Sequence, residues 1–272
     1  MLLLLPPSEG KSPAPTGSRP VELDSLVAAD ALTSRREAML AALAGVSARP
    51  DATVVLKVGQ SLAAEVAANT GLRTAPAAPA AEVYNGVLYA AAGLAGLDPR
   101  AAARAQQSVR IFSALWGMVA PGDRIPAYRF SMAVDLPGHG RTATGWREPL
   151  AAALDDRARG EVVIDCRSAP YQAAWKPPRG ADLVAVRVVR EIAGSRTVVS
   201  HNAKHTRGVL TGHLLRRPGP VPADSEAVLA AASELVGEVI GTEVGSGLSY
   251  RLLAAELSQP RAGRRTLELV ID

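Results

Sequence analysis

Met1-Leu2-Leu3-Leu4-Leu5-Pro6-Pro7 opens the chain and decides the kind of fold that follows. An apolar run this short, without polar alternation, reads as a strand buried on both faces. Pro6 and Pro7 stop it, because neither can donate to a ladder. A membrane span needs about 20 apolar residues and a secretory leader needs a basic start, so neither is expected. With a single cysteine, Cys166, no internal disulfide can form, and a reducing compartment, the cytoplasm, is expected.

Working outward, residues 8–20 are rich in Pro, Gly and Ser and read as an extended loop. Helical spacing marks 24–44 and 52–71, with an Ala/Pro linker at 74–81. Residues 99–118 read as one strong helix with Pro99 in its first turn. Ala105, Val109, Phe112 and Trp116 line one face of it and Arg110 falls on the other. Strands are expected at 125–134, 162–166, 183–189, 197–200 and 266–271, and helices at 146–157, 203–216 and 227–240. Strands and helices mix without strict alternation, and no repeat or long linker divides the 272 residues. The expected architecture is α+β: one domain, residues 1–272, with a mixed β-sheet flanked by helices. Hydrophobic residues make up 48% and aromatics 4%, so the chain is globular and Ala, Val and Leu must fill its core.

The net charge of +4 is compatible with an anionic partner without demanding one. Of 30 basic residues only Lys11, Lys57, Lys176 and Lys204 are lysines. In so Arg-rich a chain, a retained lysine hints at a place where a compact ammonium serves and a guanidinium does not.

Four segments can carry chemistry. In the first, Ser8-Glu9-Gly10-Lys11-Ser12, the Gly-Lys-Ser end follows a strand as in a phosphate-binding P-loop. Leu5 stands where that motif needs its first Gly, and Pro13 and Pro15 stand where it needs a helix, so a nucleotide-hydrolysing P-loop is not expected. What survives is a polar loop at a strand end, where α/β proteins place ligands. Lys11 can supply a point charge there, Ser8 a hydroxyl and Glu9 a carboxylate. The alternative is a solvated surface loop. In the second, Ser200-His201-Asn202-Ala203-Lys204-His205-Thr206-Arg207-Gly208 runs from a strand into a helix. It places Lys204 and Arg207 on one face near a positive helix N-terminus. His201, His205 and His213 lack a carboxylate or thiolate at useful spacing, so no metal is expected, and no cofactor.

The third segment, Ser113-Ala114-Leu115-Trp116-Gly117, has the apolar-Gly-apolar turn of a helix-hairpin-helix, whose amides hold a DNA phosphate; Tyr128-Arg129 follows it. The fourth, Asp165-Cys166-Arg167-Ser168, continues to Tyr171, Trp175 and Lys176. Cys166 ends an apolar strand and has no resolving partner, so it is expected buried and inert rather than peroxide-sensing.

Together these segments resemble the YaaA peroxide-stress family. The resemblance rests on Pro7-Ser8 with Lys11, Tyr84-Asn85-Gly86 with Tyr89, and Arg110 with Ser113-Ala114-Leu115-Trp116-Gly117. It continues through Pro126-Ala127-Tyr128-Arg129, Trp146, Ser168 with Tyr171, Lys176-Pro177, and Ala203-Lys204 with Arg207-Gly208. It implies a fold peculiar to that family, a positively charged cleft, a helix-hairpin-helix, DNA binding, and protection from peroxide linked to iron and DNA damage. Glu9 and the displaced Lys11 depart from the family pattern, as do His201, Asn202 and His205.

Two functions follow from these residues. In a DNA-binding protein, Lys11, Arg110, Arg129, Lys176, Lys204 and Arg207 contact phosphates, and Tyr84, Tyr128 or Trp116 stack on a base. In an enzyme acting on a small anion, Lys11 and Arg207 hold the anion, and Glu9, Tyr84 or Tyr128 supply a proton. An open groove distinguishes the first and a closed pocket the second. No membrane partner is expected.

Overall fold

The computed structural model describes residues 1–199, 201–242, 247–261 and 263–272, the side chain of His201 excepted. Ser200 and the His201 side chain, both part of the basic segment above, lie outside the described residues.

The opening run is strand β1 (Leu2–Leu5), and all four leucines are wholly buried. It lies between β3 (Val109–Ser113) and β6 (Val163–Asp165), parallel to both, with Leu3 opposite Val109 and Leu4 opposite Asp165. A strand in this position is covered on both faces, which is why it reads as continuous leucine. β7 (Leu183–Ile192) and β11 (Arg264–Ile271) extend the parallel core. Antiparallel β4 (Gly117–Val119) closes one side, and β10 (Ser249–Leu257) and β9 (Val239–Thr242) the other; β8 (Ser195–Val198) pairs the far end of β7. Among the described residues this makes one nine-stranded mixed sheet, with a separate pairing of β2 (Ala78–Pro79) and β5 (Arg124–Ile125).

Helices flank the sheet: α1 (Ala29–Ser47), α2 (Ala52–Val55), α3 (Ala63–Ala68), α4 (Ala80–Val83), α5 (Val87–Ala92) and α6 (Pro99–Ser108), then α7 (Thr142–Gly145), α8 (Arg147–Gly160), α9 (Ala169–Gln172), α10 (His201–Arg216) and α11 (Ser225–Ser233). No helix among the described residues is long and apolar enough to cross a membrane.

Five expectations change. The helix expected over 99–118 ends at Ser108. Asp98 caps it by accepting from Arg100 N (2.9 Å) and Ala101 N (3.0 Å), and Pro99 sits at its first position. Val109 to Ser113 then pair with β1, because a run buried on every side fits a central strand as well as a helix. Trp116-Gly117 therefore turns between antiparallel β3 and β4, and the helix-hairpin-helix expected there is not formed. Gly117 has φ +72°, and a Cβ on it would stand 2.6 Å from the Trp146 ring, so its glycine serves packing.

The helix expected over 52–71 breaks at Lys57, whose φ of +55° is left-handed. That conformation costs a non-glycine residue about 1 kcal/mol or more. The strand expected over 125–134 pairs only at Arg124–Ile125. Beyond it the Asn69 side chain replaces a neighbouring strand: Arg129 N donates to Asn69 Oδ1, and Asn69 Nδ2 to Arg129 O, both at 2.9 Å. The helix expected over 227–240 stops at Ser233, because Gly237 (φ +88°) turns the chain into β9.

Candidate functional site

The parallel strands β3, β1 and β6 deliver three loops to one edge of the sheet, the edge where open α/β sheets hold ligands. The loop after β1 is fixed tightly. Ser12 N donates to Val83 O (2.8 Å), and Lys11 bridges to Tyr84 as a short antiparallel pair. Asn85 closes it: Nδ2 donates to Gly10 O (2.9 Å), and Oδ1 accepts from Ser12 Oγ (3.0 Å) and Ser12 N (3.3 Å). Ser8 Oγ donates to Gly10 O and accepts from Asn85 N (3.2 Å).

This scaffold aims Lys11. Its Nζ donates to Ser8 O (2.9 Å) and Glu9 O (3.3 Å), which leaves its third hydrogen for a ligand. The ammonium stands 4.3 Å from the centre of the Tyr128 ring and 5.7 Å from that of Tyr84. Burial, then the neighbouring Arg129 guanidinium, lower its pKa to about 8 against the opposing pull of Glu9 and Glu65. A lysine so placed exchanges protons near neutral pH, as an ordinary lysine or an arginine does not.

Beneath it lies a hydroxyl cluster. Ser113 Oγ accepts from Leu115 N (3.2 Å) and Trp116 N (3.1 Å). With both lone pairs used, its hydrogen goes to Tyr128 Oη at 2.7 Å, and the Tyr128 hydrogen to Tyr84 Oη at 3.0 Å. Burial raises both tyrosine pKa values well above the ordinary range, so both hydroxyls keep their protons beneath Lys11.

Lys11 divides two concavities. On one side is a polar cavity of about 190 Å³, lined by Ser8, Glu9, Lys57, Arg129, Ser131 and Tyr171 among others. On the other is a more apolar trough of about 420 Å³ between Pro13, Ala64, Ala68, Ala127 and Tyr128. Arg129 closes the cavity wall: Nε donates to Glu65 Oε2 (3.0 Å) and Nη1 to Glu9 O (2.9 Å). Tyr171, raised to about 12 by burial, keeps its phenolic proton.

Ser8, Glu9, Lys11, Tyr128 and Arg129 thus meet at one place, and Tyr84 backs it from the core. The other expected contacts lie elsewhere or are already engaged. Trp116 is wholly buried, edge-on to Tyr128, and cannot stack on a base. Arg110 is buried on β3, donating to Gln106 O (3.0 Å) and Val109 O (2.7 Å). Lys176 lines a separate depression with Arg147 and Asp155. Lys204 is exposed on α10, and Arg207 donates to Val186 O (2.9 Å) of β7. Gly208 accommodates a helix, since a Cβ there would lie 2.3 Å from Leu88 O of α5. Cys166 is wholly buried, and burial raises its thiol to about 12.

The sequence reading missed Lys57, Glu65 and Ser131 as members of the site and gave Tyr171 no role in it. Lys57 alone carried a visible signal, as one of four lysines. Asn69, which fixes the backbone of Arg129, carried none.

Comparison with known proteins agrees with the resemblance. The model of a family described as peroxide stress protein YaaA matches residues 1–224. A UPF0246 protein of Streptomyces coelicolor is 45% identical over 243 residues, 88% of this chain and 92% of that protein. A UPF0246 protein of Corynebacterium efficiens is 39% identical over 274 residues, the full length of both chains. One from Corynebacterium glutamicum is 38% identical over 219 residues, 77% of this chain and 83% of that protein.

Proposed function

The chain belongs to the family of the peroxide stress protein YaaA, and we propose that it serves that response by binding a small anionic molecule at Lys11 and exchanging a proton with it. The observation that carries the proposal is the Lys11 ammonium. It is partly buried, held by two backbone carbonyls, and set between a polar cavity and an apolar trough. Among the described residues no ion pair joins it to a carboxylate, so an anion from solution completes its environment.

With a pKa of about 8, Lys11 attracts the anion as an ammonium and, once it has lost that proton to solvent, can accept one from the bound molecule as an amine. Tyr171, which keeps its phenolic proton, lines the cavity, and Arg129, locked by Glu65, keeps the wall rigid. Glu9 faces solvent at the mouth with 82% of its side chain exposed, where it can relay the proton outward.

Size favours a small molecule over a duplex. The cavity of about 190 Å³ falls below the roughly 300–1,000 Å³ of drug-sized sites. Of the residues expected to line a DNA groove, Arg110 and Trp116 are withdrawn into the core.

A strain lacking the gene, complemented with variants and challenged with hydrogen peroxide, tests the proposal. Lys11→Met and Lys11→Arg should both fail to restore survival while folding normally, because charge alone does not replace a titrating amine. Full rescue by Lys11→Arg would sink the proton-exchange role. Salt-sensitive duplex binding by the purified protein, weakened by Lys176→Ala or Lys204→Ala and not by Lys11→Met, would move the function to DNA.

A further inference from the structure

Lys57 is the unexplained residue of the site. It follows α2 in a left-handed conformation (φ +55°), in a position after a helix that glycine fills without strain. Its backbone is held there, with Lys57 N donating to Val54 O (3.1 Å) and Val58 N to Thr53 O (2.9 Å). A lysine kept in a glycine position, and lining a cavity, is there for its side chain.

The charges around the cavity say what that side chain meets. Its lining carries Lys11, Lys57 and Arg129 against the single carboxylate of Glu9. Arg129 is already paired with Glu65, and Glu9 lies within 3.7 Å of the same guanidinium. Lys11 and Lys57 are left without an ion-pair partner among the described residues. Two lysines without an ion-pair partner, lining one small cavity, match two negative charges on one small group. The apolar trough across Lys11, walled by the Tyr128 ring, gives the rest of the molecule a flat surface.

We propose that Lys57 is the second cation of this site and that it selects a dianionic head group, a phosphate monoester, carried on a flat or apolar body. The inference rests on the Lys11 reading above and deepens it. Lys11 meets the head from the trough side and Lys57 from the α2 side, and a monoanion leaves one of them unmatched.

Phenyl phosphate and benzoate separate the possibilities, because they share a ring and differ in head charge. Near pH 7.5 the monoester is mostly dianionic, its second pKa lying at about 6. Purified full-length protein is titrated with each, in phosphate-free buffer, by calorimetry or amide shifts. The wild type should prefer phenyl phosphate by about tenfold. Lys57→Ala and Lys57→Gly should both abolish that preference and change benzoate binding by less than about twofold. Because Lys57→Gly fits the left-handed backbone, it remains as stable as the wild type, so a folding defect cannot produce the loss. Lys11→Met should weaken both ligands. If the Lys57 variants keep the preference while Lys11→Met loses both ligands, the dianion assignment is overturned and the Lys11 reading stands. If Lys11→Met binds both ligands as the wild type does, both readings fall. No binding of either ligand by the wild type also overturns the dianion assignment.

Discussion

Replacing Lys11 with Met removes a charge that burial penalises and keeps most of the stem. The folded protein holds the Lys11 pKa at about 8, whereas the unfolded chain returns it to 10.5. Below about pH 8 both states are charged and the folded state bears the full desolvation cost. Between about 8 and 10.5 the unfolded chain binds a proton the folded protein has released, so stability rises with pH through that window. At about 1.4 kcal/mol per pKa unit, the shift corresponds to at most roughly 3 kcal/mol. Solvent reaching the partly exposed ammonium reduces that to about 1–2 kcal/mol. The absolute effect of Lys11→Met at neutral pH also includes the lost hydrogen bonds to Ser8 O and Glu9 O. The change in that effect with pH does not, because those partners do not titrate. Urea unfolding of both proteins at pH 7 and pH 10.5 measures it. The wild type should gain about 1–2 kcal/mol relative to Lys11→Met between the two. Parallel pH profiles would refute the reasoning, and with it the claim that Lys11 exchanges protons near neutrality.

Two further predictions follow from the fold around the site. Gly117→Ala places a Cβ 2.6 Å from the Trp146 ring at a φ of +72°. It should lower stability in urea unfolding by about 2–4 kcal/mol, with an unchanged denaturant slope. Cys166, wholly buried and raised to about 12, should resist a thiol reagent in the folded protein and react fully in denaturant. Rapid native-state reaction, or sulfenic acid formation at low peroxide, would contradict its placement.

The candidate site was legible where an unusual residue type stands in an unusual place. Lys11, Ser8 and Glu9 stood out as a polar loop behind four leucines, and the structure places them on one cavity with Arg129. Trp116 and Gly117 misled, because an apolar-Gly-apolar turn serves a β-hairpin against Trp146 as well as a phosphate contact. Lys204 and Arg207 looked like an anion site from spacing alone. Spacing cannot tell that Arg207 is spent on Val186 O, or that Gly208 is needed by α5.

The sequence by itself determined what local chemistry dictates. Prolines end β1, a cap and Pro99 start α6, and apolar runs too short for helices become the strands of a mixed sheet. Which residues share the cavity was decided by tertiary structure. Lys57 is distant in sequence from Lys11 and Arg129 but lines the same cavity, and Glu65 and Asn69 reach Arg129 from the broken helix over 52–71, which packs against α1. The lowered pKa of Lys11 has the same origin. Desolvation depends on what surrounds a group in space, and neighbours along the chain do not supply it.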